Sequence, residues 1–356
     1  MERKNTWHSY TEEDIEKLES LASDYKEYLT GGKTERECVK ESVKLAQRAG
    51  YEDLEHFIAE NKQLKPGDKV YRTWMDKTIV LFQIGEKPME DGLNILGAHI
   101  DSPRMDLKQN PLYEDTEMVL LDTHYYGGVK KYQWVTLPLA LHGVVIKKDG
   151  TTIEISIGEK DTDPVVGVTD LLIHLSAQQL EKKAKVVIEG EDLNVLIGSR
   201  PVKGEEKDAV KKEMLRILEQ EYGIEEEDFL SAEIEVVPAG PARDFGLDRS
   251  MIMSYGQDDR VCAYTSLAAM LNVQDARRTT CCILVDKEEI GSVGATGMHS
   301  RFFENTLAEI IALTGEYSEL RLRRILQNSH MLSSDVSAAF DPNYPQVMEK
   351  KNAAYF

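Results

Sequence analysis

Cysteine is scarce in this chain: four residues in 356, at positions 38, 262, 281 and 282, with no CxxC spacing and no pairing pattern. No disulfide framework follows from them, and none is needed, because a chain of this length buries about three quarters of its unfolded surface. Cys281 and Cys282 stand side by side in an apolar run, which suits core packing in a reducing compartment. Cationic charge is also short, with 43 Lys and Arg against 63 Asp and Glu and a net charge of -20. That balance excludes nucleic acid, whose phosphates demand a cationic face, and an anionic membrane surface. No window approaches the roughly 20 apolar residues of a membrane span, and the opening Met1–Trp7 lacks the apolar stretch of a signal peptide. The expected location is the cytoplasm. The G-x-S-x-G elbow, the G-x-G-x-x-G dinucleotide fingerprint and the P-loop are missing too, and no cysteine sits in an activating context.

What is present is enough to fold. Hydrophobic residues make up 41% of the chain, with 15 Tyr and 8 Phe, which is too much for a disordered acidic polymer. At roughly 100–200 residues per domain, the length suggests two domains. The start reads as helical: Thr11 and Asp14 form a capping-box pattern before Ile15, Leu18, Leu21, Ala22, Tyr25 and Leu29, and Gly31-Gly32 follow. Thr34 with Glu37 opens a second helix, stopped by Gly50. Thr78–Phe82 and Leu93–Ala98 then read as strands buried on both faces, as in an α/β sheet.

The texture changes after Pro103. Met118–Leu121, Leu139–Ile146, the alternating Ile153, Ile155 and Ile157, and Val186–Ile188 all read as strands, with Asp149-Gly150 as a hairpin turn. One helix, carrying Val210, Met214, Leu215 and Leu218, ends at Gly223, and the Glu225–Asp228 cluster reads as a solvated turn. From about 244 the α/β rhythm returns, with Arg260–Leu271 and Phe302–Leu313 helical and Cys281–Val285 a buried strand. A β-rich block between two α/β segments implies an insert in one parent domain: 1–104 and 244–356 for the parent, 105–243 for the insert.

Four polar clusters follow apolar runs or open helices: His99 and Asp101, Asp258-Asp259, Asp286 with Glu288-Glu289, and Asp335. Singly, each has an ordinary explanation as a helix cap, a solvated loop or a turn. Together they suit a divalent ion such as Zn²⁺, which accepts imidazole and carboxylate, and ligands in α/β sheets gather beyond the carboxyl ends of strands. Two ions about 3.5–4 Å apart need a carboxylate between them and terminal ligands on either side. Alternation places His99 and Asp101 on one side of the strand end, where Asp101 can accept the second N–H of His99. Of the two adjacent glutamates, one could bind metal while the other takes a proton from water. The glycine-rich Gly291–Gly297 stretch reads as a tight turn after them.

The strings His99-Ile100-Asp101-Ser102-Pro103-Arg104, Tyr126-Gly127-Gly128, Gly256-Gln257-Asp258-Asp259-Arg260, Asp286-Lys287-Glu288-Glu289-Ile290-Gly291-Ser292 and Ser334-Asp335-Val336 occur in that order. Together they resemble the aminopeptidase I / aspartyl aminopeptidase family of cocatalytic zinc exopeptidases. The resemblance implies an α/β fold, a three-layer α/β/α proteolytic domain with an inserted β-rich dimerisation domain. It implies a dinuclear zinc aminopeptidase, two Zn²⁺ per subunit, that hydrolyses N-terminal residues from peptide substrates through a metal-bridging water. His99 would bind one zinc, Asp258 would bridge both, and Glu289 and Asp335 would be terminal ligands. Glu288 would be the general base and Asp101 the partner of His99, with the Asp258–Asp259 peptide cis. His174, in an apolar stretch of the insert, would reach a neighbouring subunit's active site; the alternative is a satisfied core histidine. His124 and His142 read as structural. The assembly implied is a homo-oligomer built from dimers, often a dodecamer.

The family pattern also asks for a histidine ligand far downstream of Asp335, whereas no histidine follows His330 here. An incomplete chain is therefore expected; a complete one would leave the second zinc short of a ligand. Two competing readings stand beside the enzyme: a non-catalytic oligomeric peptide-binding or scaffold protein with a degenerate site, and a metal-dependent deacylase on the same fold. The preferred first residue of the substrate is not legible, because no Lys or Arg can be placed in a specificity pocket from sequence.

Overall fold

Both helices expected at the start of the chain are set by their first turns. The computed structural model describes residues 4–355. In it, Thr11 and Thr34 cap helices Glu12–Gly31 and Glu35–Arg48, each with a reciprocal capping box closed by Asp14 or Glu37. Each box satisfies N–H groups that a helix leaves open at its start. The chain divides into two compact units.

The first unit comprises the residues up to Asp101, Ala242–Glu288, and those from Ser292 onward. Its centre is a six-stranded sheet in the order Glu52–Asp53, Lys69–Trp74, Thr78–Gln83, Thr280–Val285, Asn94–His99, His330–Ser333. The sheet is mixed: Thr78–Gln83 runs antiparallel to both its neighbours, and the last three strands run parallel. Alternation along the strands sends side chains to opposite faces. Val80, Phe82, Cys281 and Ile283 pack with Leu307, Ile310 and Ile311 of helix Phe302–Thr314. Ile79, Leu81, Cys282 and Leu284 pack instead with Leu29, Val39 and Leu267 of helices Glu12–Gly31, Glu35–Arg48 and Gln257–Leu271. The neighbouring cysteines thus serve two different cores, and helices cover both faces. Each fully buried aliphatic side chain of this kind contributes roughly 1.5–3 kcal/mol.

The second unit, Ser102–Pro241 with Glu289–Gly291, is built on an antiparallel six-stranded sheet. The strand order is Thr152–Ile157, Leu139–Ile146, Ala232–Pro238, Arg104–Asp115, Met118–Tyr126, Val195–Gly198. The hairpin at Asp149-Gly150 forms, with Gly150 at φ +88° and Lys147 N–H bonded to the Thr151 carbonyl at 2.8 Å. Helix Ala209–Tyr222 ends at Gly223 in the left-handed conformation.

Two local expectations are corrected here. Val186–Ile188 is no strand: Ala184–Val186 is a 3-10 turn, and Val186 stays exposed. Three apolar residues between Lys185 and Glu189 are too few to alternate, and the surrounding N–H groups bond locally, as Val186 does to Lys183 at 2.9 Å. Nor is Glu225–Asp228 a purely solvated turn. Asp228 is buried, accepts the Glu225 N–H at 2.8 Å and pairs with Lys147. Burial alone would raise its pKa, but Lys147 and that N–H outweigh it and hold the carboxyl below its usual range.

Candidate metal centre

Three parallel strands of the first sheet finish side by side, and each delivers an ionisable residue at its carboxyl end. His99 closes Asn94–His99, Asp286 follows Thr280–Val285, and Asp335 lies just beyond His330–Ser333. Register makes this a consequence of pairing: Val285 lies opposite His99, and Ser333 opposite Gly97. The Ile100 N–H donates to the Val285 carbonyl and the Ser334 N–H to the Gly97 carbonyl, both at 2.8 Å.

A fourth contribution comes from the start of helix Gln257–Leu271, where Asp258 and Asp259 have non-helical dihedrals and share a cis peptide bond. Arg260 anchors this corner. Its side chain is fully buried, with Nε donating to the Ile100 carbonyl at 3.1 Å and Nη2 to the Lys33 carbonyl at 3.0 Å. Gly256 makes room for it: φ is +79°, and a Cβ there would lie 2.1 Å from Arg260 Nη1.

His99 is the hub of the cluster. Its Nε2 lies 3.3 Å from Asp258 Oδ1 and 3.7 Å from Glu288 Oε2. Its Nδ1 lies 2.9 Å from the Asp101 carbonyl oxygen and 3.3 Å from Asp101 Oδ1. The same Oδ1 accepts the Glu288 N–H at 3.1 Å, so Asp101 braces two site residues at once. Burial disfavours the charged imidazole, but Asp101, with Asp259 adding, outweighs it and raises the His99 pKa to about 9.

His99, Asp259 and Asp335 bring one ligand atom each within 4.8 Å of one another. Asp259 is wholly buried, and among the described residues no N–H or hydroxyl donates to either of its carboxylate oxygens; the Cys262 thiol beside it is a weak donor. Burial pushes its pKa up to about 6, with Asp335 and Asp258 adding, while the Cys262 thiol and His99 pull it down. An orphaned buried carboxylate among other acids is costly unless a cation joins it. An imidazole with carboxylates is a donor set that zinc accepts, so the residues fit the ion. Asp286, also buried, accepts from the Lys287 N–H at 2.8 Å and from Thr296 Oγ1 at 2.6 Å. Its burial, with Glu35 adding, raises its pKa to about 6 against Thr296, Lys287 and Lys77.

The structure thus gathers His99, Asp101, Asp258, Glu288 and Asp335. Glu289 is one peptide beyond Glu288 in the same 3-10 turn. For Asp259 the sequence offers one signal, the doubled Asp ahead of a helix, and the family resemblance implies no role for it beyond the cis bond to Asp258. His174 is no core histidine, since it and the flanking Leu171, Leu172, Ile173 and Leu175 are all exposed. His142 is buried against Glu159, 3.0 Å from its Oε1.

Residues 28–356 match the family model described as aminopeptidase I zinc metalloprotease (M18). The chain belongs to the M18 family of zinc aminopeptidases. It is 60% identical over 355 residues to an M18 family aminopeptidase 1 of Clostridium acetobutylicum, spanning 99% of this chain and 76% of that protein. The crystal structure of aminopeptidase I from that organism superposes with a TM-score of 0.90 at 59% identity, covering 100% of this chain and 77% of that one. An M18 aminopeptidase from Thermotoga maritima gives a TM-score of 0.93 at 45% identity, with the same coverage. Membership in M18 makes the chain a metallo-exopeptidase with a mixed α/β fold, which decides against the scaffold reading. Among the described residues no helix is long and apolar enough to cross a membrane.

Proposed function

We propose that this M18 aminopeptidase holds two zinc ions per subunit, with His99 and Asp335 as ligands at the strand ends, Asp258 bridging and Glu289 completing the set. What supports the reading is the 3.3 Å approach of His99 Nε2 to Asp258 Oδ1, beside the cluster of His99, Asp259 and Asp335 in which the buried Asp259 carboxylate has no N–H or hydroxyl donor among the described residues. Zinc bound there supplies Lewis acidity towards the scissile carbonyl and lowers the pKa of water. The protein's own part begins with Asp101. By receiving the Nδ1 side of His99, it leaves Nε2 facing the site.

Glu288 is the general base in this reading. Its side chain is 48% exposed, open to the solvent side, while its N–H is fixed by Asp101. It takes the proton of the attacking water and returns it to the leaving amine of a peptide with a free N-terminus. The β-rich stretch 105–243 is an insert in the parent domain and serves dimerisation. Within it, Leu171, Leu172, Ile173 and Leu175 are 52–67% exposed, an apolar run that a water-facing surface does not favour. His174 in that run would then meet the neighbouring subunit's site. A yeast relative of 19% identity, the mApe1 dodecamer, has a similar fold with a TM-score of 0.75, and we infer an assembly of the same kind, built from dimers.

The test is Glu288→Gln assayed on aminoacyl chromogenic substrates. General-base loss predicts a kcat lower by about 10²–10⁴-fold with zinc content unchanged. Turnover at the wild-type rate would refute the assignment.

A further inference from the structure

The loop that carries Glu288 leaves the sheet at Asp286 and is fastened again at Thr296. Asp286 is fully buried and Thr296 is 5% exposed. Asp286 Oδ2 accepts Thr296 Oγ1 at 2.6 Å, and Oδ1 accepts the Lys287 N–H at 2.8 Å. The far end of this crossbar is tied down in turn, because the Thr296 carbonyl accepts Thr78 Oγ1, itself buried, at 2.6 Å. Trp74 Nε1 holds the preceding carbonyl, Ala295, at 3.0 Å. Between the two ends the backbone takes positive φ at Lys287 and Ser292, and Ser292 N–H bonds the Lys287 carbonyl at 2.7 Å. Neither residue is a glycine, so the surroundings must impose that path.

Glu288 lies two residues from the anchored carboxylate, and Asp101 holds its N–H. The direction in which its carboxyl points is set by the turn between these fixed points. We propose that Thr296, acting through Asp286, is a positioning residue that places the Glu288 carboxylate for proton transfer. The inference rests on the reading of Glu288 as the base. It adds a buried hydroxyl, eight residues along the chain, as the part that aims it.

Thr296→Val removes the hydroxyl and keeps the shape; Thr296→Ser restores the hydroxyl without the methyl. Both are to be compared with wild type and Glu288→Gln as zinc-loaded enzymes, measuring kcat, KM, zinc content and thermal unfolding. A misplaced base predicts that Thr296→Val loses about ten- to a hundredfold in kcat, with KM and zinc content held and Thr296→Ser recovering most of the rate. If Glu288→Gln is inactive while Thr296→Val keeps its kcat within about twofold, the positioning role alone fails. A Thr296→Val variant that loses zinc, unfolds early and is not rescued by serine also overturns it, since the hydroxyl would then serve the fold only. An active Glu288→Gln overturns the base assignment and this role together.

Discussion

At the residue scale the site is a problem of uncompensated charge. His99 is ringed by carboxylates, and among the described residues Asp259 has no N–H or hydroxyl donor for either oxygen. Without metal a proton does the neutralising, which is why His99 titrates at about 9 rather than 6.5. The stability this adds is fully present below about 6.5 and is lost as pH rises through about 9. Zinc needs the neutral imidazole, so below that upper value each ion on His99 must expel a proton. Zinc affinity of the metal-free protein is therefore expected to climb with pH, by up to about tenfold per unit, and to level off near 9. Chelator-competition titrations at stepped pH would show this, and an affinity flat across the range would remove His99 from the ligand set. Much of this site was legible, because His99, Asp101, Glu288 and Asp335 each follow a recognisable strand or strand–loop junction. Asp259 was not, because its importance comes from burial and from having no N–H or hydroxyl donor among the described residues, which a sequence does not display.

At the scale of elements, some determinants are local to the sequence and others are tertiary. The capping boxes at Thr11 and Thr34, and the apolar strands Thr78–Gln83 and Thr280–Val285, carry their signals within a few residues. Val186–Ile188 has strand-like residues but no strand partner among the described residues, and the buried Asp228 is paired with Lys147, 81 positions away in sequence. The double role of Asp101 was hidden for the same reason: its second partner, the Glu288 N–H, is 187 positions away in sequence. The corner before helix Gln257–Leu271 also depends on such an approach, the guanidinium of Arg260 resting where a side chain at Gly256 would stand. Gly256→Ala should cost about 1–3 kcal/mol from the left-handed backbone alone, with more from displacing Arg260. Thermal unfolding and zinc content measured together should both fall; a variant with wild-type values for both would show that the corner tolerates a side chain.

For the whole molecule, the acidic balance of -20 has two faces. Most of it is solvated surface charge, and a few buried or clustered carboxylates form the proposed metal centre. Oligomerisation belongs to this scale as well. If the exposed run Leu171–Leu175 is an intersubunit surface, Ile173→Asp places a charge in an apolar contact and should shift the protein to smaller species in light scattering. Activity should fall with it, since His174 would no longer reach a neighbour. An unchanged assembly size would take that run out of the interface. The central claim, a two-zinc aminopeptidase, is tested most directly by elemental analysis of the purified protein, paired with peptide hydrolysis before and after chelation. About two zinc ions per chain are expected, with activity lost on chelation and regained on adding zinc. A protein free of zinc that hydrolyses N-terminal residues at an unchanged rate after chelation would contradict the account.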